Sequence, residues 1–89
     1  MFGDNLKIKD IKLEVGQLVK SFRKQGKISQ QELAELLDLS RITIQNMEAG
    51  KNFTIDSFLK VIQYFDALPA FYKLVNDMKN ENENLKSLY

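Results

Sequence analysis

Three hydroxyl residues in the middle of the chain carry the same start signal for a helix. Ser29, Ser40 and Thr54 each follow an apolar residue and precede another one four positions later, as in a helix N-cap with a hydrophobic staple. Ser29 also has Glu32 at the third position after it, which completes a capping box. Starts spaced this closely leave room only for short helices. The pattern predicts three of them, over residues 30–37, 41–49 and 55–65.

The connection between the first two predicted helices is only Asp38-Leu39-Ser40. Aspartate adopts the left-handed conformation that ends a helix more readily than most residues with a Cβ. So short a turn makes two helices cross steeply, and this is the geometry of a helix-turn-helix. Gly50 provides the stop signal after the second helix of the pair.

Further helices are predicted on both sides of these three. The apolar stripe from Ile11 to Phe22 predicts a first helix over about residues 10–25. Apolar and polar residues also alternate over residues 6–15, which leaves a short strand running into that helix as an alternative. A fifth helix is predicted to start at residue 68 or 69, since proline is favoured in a first turn. The expected fold is therefore all-α, a compact five-helix bundle that contains a helix-turn-helix.

The composition narrows the functions that such a bundle can have. The chain of 89 residues is long enough for one domain, and it contains no Cys and no His. Disulfides and thiolate zinc sites are thereby excluded, and the commonest general base and metal ligand is missing. We expect no catalysis, no cofactor and no bound metal. No apolar run has the length of a signal peptide or a membrane span, so a cytoplasmic protein is expected.

The predicted helix over residues 41–49 has one side whose residue types suit the bases of DNA. Ile44 and Met47 share the side that is expected to face the core. The opposite side carries Arg41, Ile42, Gln45 and Asn46, with Thr43 near its edge. Arginine forms paired hydrogen bonds with guanine, side-chain amides do so with adenine, and an aliphatic group contacts the thymine methyl. The alternative is an ordinary solvent-exposed face. The net charge of +1 argues against binding to nucleic acid through the overall charge of the chain alone, but it does not argue against a local basic face.

Residues from Val15 to about Leu68 resemble the lambda-repressor/Cro-like helix-turn-helix family, also called the XRE family. The stretch from Ile28 to Lys51 matches the family pattern nearly throughout. The resemblance implies a DNA-binding domain over residues 10–68, with residues 1–9 as an N-terminal arm. It also implies a structural ion pair between Arg23 and Glu48.

The resemblance assigns roles to individual residues. It implies that five residues face the bases: Arg41, Ile42, Thr43, Gln45 and Asn46. It implies that four others contact the DNA backbone: Gln30, Ser40, Lys51 and Asn52. Gln30 is also implied to brace the recognition helix. Two positions depart from the family pattern, because Asp38 stands where glycine is usual and Ile42 is unusually bulky and apolar for a base-facing residue. Ile42 leaves open the interpretation that this face meets a protein.

One helix-turn-helix reads too few base pairs to find an operator among genomic competitors. A symmetric dimer on half-sites about one helical turn apart solves this problem. Residues 69–89, a C-terminal helix and tail, are the expected dimerisation element. The expected contacts are Phe71, Tyr72, Val75 and Met78. The alternative is that Phe71, Leu74 and Met78 close the core of a single chain.

The sequence therefore predicts a sequence-specific regulator of transcription, a repressor that binds double-stranded DNA as a homodimer. The alternative is an antitoxin that represses its own operon and masks a toxin protein, as members of the family often do. A co-purifying partner would separate these two functions. A third hypothesis is a protein-interaction module on the same scaffold, whose affinity for duplex DNA would lack the steep salt dependence of phosphate contacts.

Overall fold

The computed structural model describes residues 5–87, and within them the chain forms five α-helices and no strand. The helices are α1 (Ile8–Gln25), α2 (Gln30–Leu37), α3 (Arg41–Glu48), α4 (Ile55–Tyr64) and α5 (Leu68–Ser87). The all-α prediction is confirmed, with the ends of α3 and α4 one residue earlier than expected. Residues 1–4 of the predicted arm and residues 88–89 of the predicted tail lie outside the described residues.

The first helix begins two residues earlier than predicted, and the alternative of a strand in this region is wrong. The Asp10 carboxylate accepts the backbone N–H of Lys7 at 2.9 Å and so supplies a partner that the first turn lacks. An acidic residue in the first turn also interacts favourably with the helix dipole. The alternating apolar residues of this segment therefore lie on a helix from Ile8 onward.

The three capping signals are confirmed as N-caps of α2, α3 and α4. The hydroxyls of Ser29, Ser40 and Thr54 each accept a backbone N–H from three residues further on, at 3.0–3.1 Å. At α2 the Glu32 carboxylate in turn accepts the backbone N–H of Ser29 at 2.8 Å, and this hydrogen bond lowers the pKa of Glu32. The charged carboxylate therefore stabilises the fold at pH values above its ordinary pKa. That contribution is lost as the pH falls through the lowered pKa.

The first four helices all end in the same way, with one residue in the left-handed conformation. These residues are Lys27, Asp38, Gly50 and Asp66, with φ between 56° and 75°. In each case the next N–H reaches back to a carbonyl five residues earlier, as from Leu39 to Ala34 at 2.8 Å, which is the bond of a Schellman motif. Asp38 thus adopts, in the turn between α2 and α3, the left-handed conformation that is usual for glycine, as expected. The same role for Lys27 and Asp66 was not predicted.

The core lies among α1 to α4, each of which contributes fully or almost fully buried apolar side chains. These are Val19, Leu33, Ala34, Ile44, Met47, Phe58, Val61 and Ile62. Stacked rings of Phe22 and Phe65, 5.2 Å apart, join α1 to the end of α4. The start of α5 joins this core through Phe71, whose ring meets Phe58 edge-on at 5.6 Å. No helix in the described part of the chain has both the length and the apolar character needed to cross a membrane.

A glycine in the middle of α1 sets how closely this helix approaches α3. Gly16 is buried, and a Cβ built on it would lie 2.6 Å from the carbonyl oxygens of both Met47 and Glu48. One turn earlier in α1, Leu13 packs against Gly50, where a built Cβ would lie 2.7 Å from the Leu13 side chain. The backbone of α1 therefore passes directly over the last turn of α3, and only glycine leaves room for this crossing.

We predict that Gly16→Ala destabilises the protein. On an exposed helix face this substitution stabilises by about 1 kcal/mol, but here the added methyl must displace two backbone oxygens. Overpacking of this kind costs about 1–3 kcal/mol. We therefore expect a Tm lower by at least about 4 °C in a thermal melt followed by circular dichroism.

Gly26→Ala is the matched control, because Gly26 has a φ of −77° and a Cβ built on it would lie no closer than 3.3 Å to another group, the side-chain ring of Phe65. Its stability should change by less than about 1 kcal/mol. Equal melting temperatures for the two variants would contradict the close crossing of α1 and α3.

Candidate nucleic-acid interface

The helix α3 turns its apolar side inward and its polar side outward, as predicted. Ile44 and Met47 are fully buried in the core. Arg41 and Gln45 are exposed, and Ile42 has 64% of its surface accessible. The outward side of α3 therefore carries a guanidinium, an aliphatic group and an amide next to one another in solvent.

Two of the predicted base-facing residues lie at the edge of this surface. The Thr43 hydroxyl is 2.8 Å from that of Ser40, and the backbone N–H of Thr43 donates to the same oxygen at 3.1 Å. Thr43 is therefore tied into the N-cap of α3 and is half-buried. Asn46 is also half-buried, and its carbonyl accepts the N–H of Lys51 in the turn after α3 at 2.9 Å. The outermost groups are those of Arg41, Ile42 and Gln45.

A charged cluster beneath this surface joins α3 to the two helices before it. Arg23 donates from Nε and Nη2 to the two carboxylate oxygens of Glu48, at 2.7 and 3.0 Å, which confirms the expected ion pair. Arg23 Nη1 donates to the carbonyl of Ile28 at 3.0 Å. Gln30 Nε2 donates to Glu48 Oε1 at 3.1 Å, so Gln30 braces α3 as the resemblance implied. We call these three side chains, Arg23, Gln30 and Glu48, the clamp.

The clamp is largely shielded from water. The side chains of Arg23 and Glu48 are only 12% and 5% exposed. The hydrogen bond from Glu48 raises the pKa of Arg23 above its already high ordinary value, although burial opposes this shift. Arg23 is therefore positively charged throughout the pH range in which proteins fold. A bidentate pair of this geometry holds the last turn of α3 at a fixed angle to α1.

An open basin lies over the clamp, and its walls come from α1, α2 and α3. It is lined by Lys20, Arg23, Lys24, Ser29, Gln30, Gln31, Arg41, Gln45, Glu48 and Ala49. Lys20 and Lys24 are exposed and belong to one face of α1. Sequence reasoning did not count them as site residues, because nothing in their spacing shows that α1 passes beside α3. With Arg41 they make this side basic in a chain whose net charge is only +1.

The loop after α3 holds the other expected backbone contacts. Lys51 and Asn52 are exposed and directly follow the left-handed Gly50. The Lys12 ammonium of α1 donates to the Asn52 side-chain oxygen, which brings another positive charge to the loop. Sequence reasoning missed Lys12, since its position depends on the crossing of α1 over α3. The sequence itself shows only that Lys12 lies one helical turn before Gly16, the residue at which α1 crosses α3.

The arrangement as a whole can present a helix to a groove of nucleic acid. The B-DNA major groove is about 12 Å wide and accepts an α-helix. The exposed side of α3 offers donors and an apolar group, and ammonium groups flank it on both sides: Lys20 and Lys24 beside the basin, and Lys12 and Lys51 at the loop. Flanking cations of this kind neutralise phosphates while the helix contacts the bases.

The residues expected to mediate dimerisation fall into two groups. Phe71 is half-buried in the core of its own chain, in contact with Phe58. Tyr72, Val75 and Met78 are 73%, 50% and 63% exposed. The alternative in which α5 closes the core is therefore right for Phe71 and wrong for Met78. Leu74 lies between these cases, because it is 54% exposed and lines an apolar groove with Phe58 and Phe71 at the edge of the core.

We predict that Glu48→Ala costs about 1–3 kcal/mol of unfolding free energy, because it leaves the shielded guanidinium of Arg23 without its carboxylate. Replacing both partners, with Arg23→Met and Glu48→Leu, should cost less than Glu48→Ala alone. Urea unfolding measures both values.

The control for this prediction is Lys73→Ala, which breaks the exposed pair of Lys73 and Asp77 on α5. Exposed pairs at this spacing contribute about 0.3–0.5 kcal/mol. A cost for Glu48→Ala as small as that of the control would show that the clamp does not hold α3 in place.

Comparison with known protein families matches residues 19–72, more than half of the chain, to the helix-turn-helix model that describes Cro/C1-type domains. The match covers α2, α3 and α4 in full, with the second part of α1 and the start of α5. Neither a curated protein nor a solved structure matches the chain.

Proposed function

The chain belongs to the Cro/C1-type helix-turn-helix family of DNA-binding regulators, and on this premise we propose that it is a sequence-specific repressor of transcription. In this proposal α3 enters the major groove and reads a few base pairs of an operator half-site. The protein acts where the genome is, and we therefore place it in the cytoplasm. Binding blocks transcription by covering the operator.

The observation that carries this proposal is the uncovered polar side of α3 above two fully buried anchors, Ile44 and Met47. No described part of the chain shields Arg41, Ile42 or Gln45 from solvent. Arg41 is suited to guanine and Gln45 to adenine, while Ile42 supplies the aliphatic contact that a thymine methyl accepts. Asn46 and Thr43, at the edge of this surface, complete the set of residues that we assign to the bases.

The phosphate contacts come from groups around this helix. We assign Gln30, Ser40, Lys51 and Asn52 to the DNA backbone, and we add Lys12 because its ammonium lies at the same loop. Ser40 and Gln30 stand at the first turns of α3 and α2, where the helix dipole favours an anion. These contacts fix the register of the protein on the duplex and carry no sequence information themselves.

Two copies of the chain are needed to specify an operator, because one such unit distinguishes too few base pairs. We propose a homodimer through α5, whose residues Tyr72, Val75 and Met78 leave apolar surface in solvent. Two copies of α3 would then contact half-sites about 34–36 Å apart.

We predict that Arg41→Ala and Asn46→Ala each lose about 1–3 kcal/mol of discrimination at particular base pairs, while non-specific binding survives. Duplexes selected from a random library give the preferred half-site, and titration of single-base variants gives the discrimination. Gln63→Ala is the matched control, because this exposed amide of α4 lies in a groove with Leu36 and Leu37, away from the basin. Unchanged selectivity in both variants would remove the base-reading role from α3.

We predict that Lys51→Ala weakens binding to all duplexes equally and reduces the slope of log affinity against log salt by about 1. This is the expected behaviour of one lost phosphate contact. Lys60→Ala removes an exposed lysine of α4 on the side of Leu36 and Leu37, and it should leave the slope unchanged. An affinity of the parent protein that hardly changes with salt would instead indicate a protein-interaction module.

A further inference from the structure

The second part of α5 extends away from the core with its described side chains in solvent. Every described side chain from Asp77 to Leu85 is exposed, and the molecule is 51 Å long against 27 and 21 Å in its other dimensions. Isolated helices of fewer than about 12–15 residues are only marginally stable in water. Packing of an apolar side supplies most of the stability of a helix in a protein, and the apolar side of this part of α5 is open to such a contact.

Four positions of α5 have the spacing of a seven-residue repeat, and three of them are apolar. Val75 takes position a, Met78 position d, Asn82 the next a and Leu85 the next d. Phe71 precedes them at a d position, but it is already packed into the core of its own chain. Val75, Met78 and Leu85 are 50%, 63% and 56% exposed, so the seam from position 75 to position 85 is open. Spacings that alternate between three and four residues are those of a coiled-coil seam.

We propose that the seam pairs with the same seam of a second copy to form a short parallel two-stranded coiled coil. The inference rests on the proposed homodimer and gives it a defined interface. A β-branched residue at a, as in Val75, favours two strands over three or four. The buried positions are then Val75, Met78, Asn82 and Leu85, with Leu74 at the flanking g position. Tyr72, which takes an e position one turn before, lies beside the seam and not in it.

Asn82 is the residue that makes a second copy of this chain a better partner than a generic apolar surface. A single asparagine at an a position lowers the stability of a coiled coil, but it fixes the register and the number of strands. In a parallel pair the two Asn82 amides face each other and form a hydrogen bond across the seam. Against an unrelated apolar groove the same amide would be buried without a partner, at a cost.

The critical experiment compares Asn82→Ile with Asn80→Ile in the full chain without DNA. Both positions are exposed in the single chain, but position 80 is an f position that points away from the seam. Sedimentation equilibrium should show dimers for the parent protein. Asn82→Ile should lower the dimer Kd by about tenfold or more, since it replaces a buried polar group by an apolar one, and Asn80→Ile should leave it unchanged. Equal effects of the two substitutions would overturn the seam.

The orientation can be tested separately because the chain contains no cysteine. Asn82→Cys should form an interchain disulfide rapidly on mild oxidation, since a parallel pair places the two copies of position 82 opposite each other. Asn80→Cys, at the outer f position, should remain largely uncrosslinked. A failure of Asn82→Cys to crosslink in a protein that sediments as a dimer would overturn the parallel arrangement.

Met78→Asp tests the coiled coil separately from the proposed homodimer and from DNA binding. The substitution should convert the dimer to a folded monomer, with circular dichroism as the check on folding. A dimer whose Kd changes with neither Met78→Asp nor Asn82→Ile would keep the proposed homodimer but overturn the coiled coil. A parent protein that is monomeric both free and on its selected duplex would overturn the coiled coil and the dimer, while salt-dependent binding to that duplex would leave DNA reading intact.

Discussion

The position of α3 depends on the clamp between Arg23, Gln30 and Glu48. Arg23 on α1 and Gln30 on α2 both donate to the one carboxylate of Glu48 at the end of α3. Three helices are thereby joined at a single point with little exposure to water. Buried pairs of this kind contribute little net stability, but they restrict geometry. Gly16 adds to this restriction because it allows the α1 backbone to touch the last turn of α3.

The functional surface follows from the same constraint. Because Ile44 and Met47 fill the core and Glu48 is held from below, the remaining side of α3 is left in solvent by residues 5–87. The net charge of +1 conceals an uneven distribution, since lysines of α1 flank α3 both at the basin and at the loop. A DNA-binding regulator requires positive charge beside an exposed side of a helix. It does not require a large net charge on the whole chain. The exposed apolar side of α5, with Val75, Met78 and Leu85, is the other surface open to a partner, and it lies on a different part of the molecule.

Sequence reasoning was most accurate where the signal is local. The starts of α2, α3 and α4 follow from hydroxyl caps that act within one helical turn, and all three were predicted to the residue. The start of α1 was misplaced by two residues because Asp10, which caps it from within the helix, was not identified as a capping group. The left-handed Lys27 and Asp66 were missed because neither is glycine, and the Schellman bonds that stabilise them appear only in the folded backbone.

The sequence by itself determined the number and type of the helices, the inward side of α3 and the short turn before it, because capping and periodicity operate over a few residues. The tertiary structure alone decided that Gly16 is a contact with α3, that Lys12 reaches the loop at Asn52, and that Lys20 and Lys24 share a basin with Arg41. It also decided that Phe71 belongs to the core while Val75 and Met78 do not. Each of these depends on the angle at which α1 and α5 cross the other helices. That angle is set by packing between residues distant in the chain, which no local pattern encodes.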